Sequence, residues 1–126
     1  MSELVFVYGT LKEGFSNHHV LGEMRELIGE ATTVASTFSM LDLGAFPAVS
    51  LEGVTTIKGE VYSIPNLKRV DSLEGYPHFY NRLEVETTMG SAWMYFVKDG
   101  DYPMNEVIPS GEWVKNKRYG FPKEMM

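Results

Sequence analysis

The sequence predicts a small α+β domain in which a mixed sheet curls toward a β-barrel with short flanking helices. Three observations point there. Strand-like segments outnumber helical ones along the 126 residues. Two of them, Leu4–Tyr8 and Ser91–Val97, are apolar on both faces and need neighbours on both sides. The helical patterns are few and short, which suits helices that flank a sheet rather than a helical bundle.

The elements follow in chain order. "LVFVY" is a run of apolar, β-branched and aromatic residues, the pattern of a strand buried on both faces, and Gly9 ends it. Ser16 or Asn17 can cap a helix, and Val20, Leu21, Met24, Leu27 and Ile28 follow at helical spacing up to Gly29. "TTVASTFSML" is a strand pattern, "DLGAFPAV" a loop with a glycine and a proline, and "TIKGEVYSI" a further strand. "PNLKRVDSLEG" predicts a short helix opened by Pro65 and Asn66 and closed by Gly75. In "YNRLEVETT", Leu83 and Val85 face one way and Arg82, Glu84 and Glu86 the other, which is a half-buried strand. "SAWMYFV" should be a central strand, "KDGDYP" a turn, and the tail carries one anchor, Trp113.

Size and composition bound the function. Residues 1–126 fit one domain, able to bury roughly two-thirds of its unfolded surface around one core and one pocket. No apolar run is long enough to cross a bilayer and no export signal opens the chain, so a soluble protein is expected. The absence of cysteine excludes disulfides, thiol catalysis and thiolate zinc sites, and fits a reducing cytoplasm. A net charge of −6 repels phosphate backbones, so no nucleic-acid partner is expected. The basic cluster Lys115, Lys117 and Arg118 is short enough to be a solvated tail.

One residue breaks the pattern of its helix. At about 100° per residue, with Leu67 at zero, Val70 falls at about 300°, Leu73 at about 240° and Glu74 at about 340°. Glu74 therefore points with the core-facing side chains, in the last helical turn, where an acid is disfavoured by the helix dipole. Partial burial and the dipole would both raise its pKa, and a carboxylate so raised is a better proton acceptor near neutral pH. The bland alternative is an ion pair with Arg82 or an escape to solvent. At the other end of the chain, "VYGTLKEG" is a buried strand running into a glycine turn. Successive N–H groups at such a turn can cup an anion such as an amino-acid carboxylate, though a plain turn is the ordinary outcome.

"FVYGTLKEG", "LDLGAFPAV", "GEVYSI" and "VDSLEGYPHFYNR", in that order and spacing, resemble the γ-glutamylcyclotransferase-like superfamily, in particular its small branch that includes γ-glutamylamine cyclotransferase. The blocks cover roughly Val5 to Arg82, and "SAWMYFV" and "SGEW" extend the likeness more loosely. The resemblance implies a small mixed barrel with flanking helices. It implies that the backbone of Tyr8, Gly9, Thr10 and Leu11 holds substrate, that Glu74 is the catalytic acid/base, and that Tyr80 helps shape the pocket. Gly44, Phe46 and Pro47 match the family's middle loop as a wall. The implied reaction closes a γ-glutamyl amine or peptide to 5-oxoproline and expels the amine, with no metal or cofactor required.

Other candidates have plainer roles. Glu60, after Gly59, is a rival carboxylate, with a strand-edge ion pair as its ordinary use. Arg82 is expected to pair on the sheet near Glu84. Tyr80 could donate to Glu74 or substrate, or be a packed aromatic with its hydroxyl satisfied. His18 and His19, adjacent at a helix start, diverge and make a poor metal pair, and both they and His78 are expected in solvent. Two further functions stay open: a non-catalytic module that binds or sequesters a small anion in the same pocket, and a protein-interaction domain, which would need an exposed apolar patch.

Overall fold

A computed structural model describes residues 2–98 and 106–114. The strands are β1 (Glu3–Val7), β2 (Glu26–Thr32), β3 (Phe38–Asp42), β4 (Pro47–Thr55), β5 (Lys58–Ile64), β6 (Asn81–Thr87), β7 (Gly90–Phe96) and β8 (Glu106–Val107). A 3-10 turn spans His18–Leu21, and one α-helix, α1, spans Lys68–Glu74. The basic cluster Lys115, Lys117 and Arg118, and the "KDGDYP" turn beyond Lys98, lie outside the described residues.

Five strands form one sheet in the order β2-β5-β1-β7-β6, and β4-β3-β8 form a second. The larger sheet is mixed: β1 runs antiparallel to β5 and parallel to β7. Its two edges meet. Thr33, just past β2, bridges Thr87 at the end of β6, and the Thr88 N–H donates to the Thr32 carbonyl at 2.9 Å. The sheet thus curls into the expected barrel. The Val97 N–H, donating to the Val49 carbonyl at 2.9 Å, ties the second sheet to the first. Phe6, Met40, Val49, Ile57, Val61 and Met94 are fully buried in the interior. The apolar run of β1 places it in the middle strand position, and β7 is interior beside it.

Three expectations fail. The helix expected over residues 20–28 stops at Leu21, and Glu26–Thr32 is a strand paired with β5. Gly22 turns the chain at φ 90°, and Asn17 makes no side-chain cap. Of the helically spaced residues only Leu21 is buried, while Met24, Leu27 and Ile28 are 76%, 52% and 41% exposed. Their spacing therefore does not reflect a core-facing helix, and pairing with β5 decides the structure. The "DLGAFPAV" loop is also shorter than expected. Only residues 43–46 turn, and Pro47 begins the nine-residue β4. β4 is an edge strand, and Pro47 is its first residue, the position a proline tolerates. "TTVASTFSML" likewise divides into the end of β2, an irregular stretch and β3.

Helix α1 forms where its sequence predicts. The Lys68 N–H donates to the Asn66 side-chain oxygen at 3.0 Å at its start. At its end Gly75 is left-handed at φ 65°, its N–H donating to the Ser72 carbonyl and the Tyr76 N–H to the Asp71 carbonyl, which together make a Schellman motif. Gly75→Ala is expected to cost about 1–2 kcal/mol, because an L side chain is strained in that conformation. The midpoint of denaturant unfolding measures it.

Candidate functional site

Four chain segments converge at one end of the barrel. β1 delivers Tyr8–Leu11, α1 delivers Glu74, the β3–β4 turn delivers Phe46 and Pro47, and the segment after α1 delivers Phe79 and Tyr80. Together they line a cavity of about 170 Å³. The Schellman turn at Gly75 sets where α1 stops, so Glu74 is the last helical residue and stands at the cavity wall.

The Glu74 carboxyl is pushed up to about 7 by its burial. Among the described residues no cation pairs with it and no side chain hydrogen-bonds to it. Arg82, the expected rival partner, is taken. Its Nε donates to an Asp71 carboxylate oxygen at 2.8 Å and its Nη2 to the other at 3.3 Å, and the Tyr95 hydroxyl also donates to Asp71. The guanidinium stacks over the rings of Tyr76 and Trp93, 4.3 and 4.7 Å from their centroids. So Arg82 does not pair on the sheet near Glu84 as expected. It pairs with α1, because β6 and the helix pack close enough for an Asp71–Arg82 fork. Asp71 takes up the Arg82 charge and leaves Glu74 without a counter-ion among the described residues.

The glycine turn lines the same cavity as Glu74. Tyr8, Gly9, Thr10 and Leu11 all line the cavity. The Lys12 N–H donates to the Gly9 carbonyl at 3.1 Å, closing the turn. Among the described residues no group accepts from the N–H of Gly9, Thr10 or Leu11. A Cβ on Gly9 would stand 2.8 Å from the Pro47 ring, so only glycine allows the turn and the wall to touch. The Tyr8 hydroxyl is buried and donates to the Tyr95 carbonyl at 2.8 Å, and burial pushes its pKa well up, keeping it a neutral donor.

Tyr80 lines the cavity, but its hydroxyl donates to the Pro47 carbonyl at 2.7 Å rather than to Glu74. It fastens the wall. Phe46 and Pro47 form that wall as expected, whereas Gly44 turns the chain at φ 103° outside the cavity. Asn17, Phe79 and Tyr95 also line the cavity; the sequence marks Asn17 only as a helix cap and the other two not at all. Phe79 stands edge-on to Phe46 with ring centroids 6.2 Å apart. It lies in the same block as Glu74 and Tyr80, which is the only signal that could have marked it. Tyr95 carries none, since strand alternation does not say which inward residue reaches a cavity.

The remaining candidates lie elsewhere. Glu60 faces a different hollow, with Lys12, Lys58 and Glu112, and accepts from the Glu13 N–H at 2.9 Å and the Tyr62 hydroxyl at 3.0 Å. Among the described residues it makes no ion pair, and β5 is interior to the sheet rather than at its edge. His19 and His78 are exposed, but His18 is not the solvent histidine expected: it is half-buried against Tyr62 and hydrogen-bonded at both ring nitrogens. Among the described residues no group of His, Asp and Glu side chains is placed to hold a metal ion, and no helix is long and apolar enough to cross a membrane.

Residues 5–115 match the family described as "Gamma-glutamyl cyclotransferase, AIG2-like". A Vibrio cholerae protein provisionally named a gamma-glutamylcyclotransferase is 39% identical over 115 residues, covering 90% of this chain and 96% of its own. The gamma-glutamylcyclotransferase family protein YtfP of Escherichia coli is 32% identical over 114 residues, covering 87% of this chain and 95% of its own. In three dimensions, the crystal structure of an AIG2-like protein from Mus musculus superposes with a TM-score of 0.74 at 24% identity, over 86% of this chain and 87% of that one, a likeness of fold.

Proposed function

The chain belongs to the gamma-glutamyl cyclotransferase, AIG2-like family, and from that premise we propose that it closes a γ-glutamyl amine or peptide to 5-oxoproline and releases the amine, with Glu74 as general acid and base. The observation that carries this reading is the Glu74 carboxyl itself: walled into a cavity, without a counter-ion among the described residues, raised to about 7 by burial, and sharing that cavity with a turn whose amides find no acceptor among the described residues.

The reaction is an internal aminolysis. The α-nitrogen attacks the γ-carbonyl carbon, a tetrahedral centre forms, and the bond to the departing nitrogen breaks. Two protons leave the attacking nitrogen and two arrive at the departing one. A single carboxylate cycling between its two forms carries each in turn. Because nucleophile and electrophile share one molecule, holding it in the cyclising conformation supplies much of the rate. The Tyr8–Leu11 backbone is assigned that holding role, and the Phe46–Pro47–Phe79 wall receives the amine side.

The first step needs Glu74 ionised. The acidic limb of kcat/KM is therefore expected to rise through a pH of about 7 and level off above it. A pH–rate profile on a γ-glutamyl amide tests this, and a profile flat down to pH 5 would remove Glu74 from the mechanism.

A further inference from the structure

We propose that His18 is a positioning residue that aims the amides of the Gly9–Leu11 turn into the cavity so that they receive the carboxylate of the bound glutamyl unit. The choice of ligand rests on the cyclotransferase reading; the mechanical argument does not.

The argument follows peptide planes. In a trans peptide the C=O and N–H point to opposite sides, so fixing the carbonyl of one residue fixes the N–H of the next. The Thr10 carbonyl accepts from the Asn17 N–H at 2.9 Å, which turns the Leu11 N–H the other way. The Gly9 carbonyl accepts from the Lys12 N–H at 3.1 Å, which turns the Thr10 N–H the other way. That second bond depends on the peptide joining Leu11 and Lys12, and His18 holds this peptide. His18 Nδ1 lies 2.8 Å from the Leu11 carbonyl. Arg25 Nε donates to His18 Nε2 at 2.9 Å, which requires Nε2 to be the acceptor and therefore places the proton on Nδ1. So Nδ1–H donates to Leu11. The side-chain amide of Asn17 adds a bond to Thr10 Oγ1 at 2.9 Å.

Every carbonyl from Gly9 to Leu11 is thus tied back, two of them by the segment 17–18. The Thr10 and Leu11 N–H groups have no acceptor among the described residues, and both residues line the cavity. Two such donors suit a carboxylate. His18 does not itself line the cavity, so it acts through the turn alone.

The test measures binding of 5-oxoproline and of 2-pyrrolidone, the same lactam without the carboxylate, by calorimetry. The parent chain should prefer 5-oxoproline. His18→Phe keeps an aromatic ring against Tyr62 but has no donor. It should weaken 5-oxoproline about tenfold, the worth of one anchoring hydrogen bond, and leave 2-pyrrolidone unchanged. His18→Asn, whose side-chain amide can stand in for Nδ1–H, should restore most of the preference. Should His18→Phe not fold, His18→Leu, smaller and likewise without a donor, takes its place. A donorless variant that discriminates like the parent, a His18→Asn as poor as His18→Phe, or a parent that prefers neither lactam overturns the proposal. Turnover of γ-glutamyl amides is scored separately. Turnover with unchanged discrimination removes the positioning role alone, and the predicted discrimination without turnover removes the cyclotransferase reading alone.

Discussion

Glu74→Gln is expected to lower 5-oxoproline formation by roughly 10²–10⁴-fold, the usual worth of a positioned acid–base group, while leaving the fold intact. The amide keeps the size and most of the shape of the carboxyl but cannot accept the α-ammonium proton or return it. The same substitution should change the pH dependence of stability, and the sign follows from the direction of the shift. The Glu74 pKa rises from an ordinary 4.5 to about 7 on folding, so between those values the native chain holds a proton that the unfolded chain has lost. Stability associated with Glu74 is therefore complete below about pH 4.5 and is lost as pH rises through 7. From pH 4 to pH 8 the parent should lose on the order of 3 kcal/mol relative to the Glu74→Gln variant. Thermal unfolding of both chains across that range measures it. A dead variant that gains stability at alkaline pH would mark Glu74 as a residue placed for chemistry at a cost to the fold. A variant with parent-like turnover would remove the mechanism.

Phe6→Ala should be the most damaging single truncation. The Phe6 ring is 1% exposed in β1, the middle strand of the larger sheet, and also backs the cavity. Deleting a buried ring loses its transfer energy and leaves a void that the closed barrel cannot collapse to fill, at about 3–5 kcal/mol. For a chain of this size that is a fall in Tm of roughly 10–20 °C. Phe6→Leu, nearer in volume, should cost about 1 kcal/mol. Denaturant titrations with unchanged slope would assign the loss to the native core. A Phe6→Ala chain as stable as the parent would contradict the packing described for β1. The effect reaches the site as well, because β1 runs directly into the Tyr8–Leu11 turn.

How far the site could be read before the fold was known depends on the range of each interaction. Glu74 was legible because a helical wheel is local: Leu67 and Val70, its neighbours on the arc, are both buried. Leu73 lies on the same arc but is 40% exposed, because it stands at the rim of the cavity and not in the core. β1, β5, β6 and β7 were legible from continuous or alternating apolar patterns. β4 was not, because Gly44 just before it and Pro47 and Gly53 within it punctuate the sequence like a loop, and it is a strand only through its pairing with β3. The misjudged helix at 20–28 has the same origin, since pairing of β2 with β5 overrides a helical spacing whose residues stay largely exposed. Partners distant in sequence were illegible in principle. Nothing near Arg82 in the chain reveals Asp71, and nothing near Tyr80 reveals the Pro47 carbonyl. The tie from His18 to the Leu11 carbonyl is closer in sequence, yet it depends on a turn geometry that no residue pattern states.

The most direct measurement is the incubation of the purified chain with a panel of γ-glutamyl amines and peptides, followed by quantification of 5-oxoproline and free amine. A cyclotransferase working through Glu74 should release the two in equal amounts from at least one member of the panel. A compound that stabilises the chain against heat yet is recovered intact would contradict catalysis and leave a binding pocket in its place.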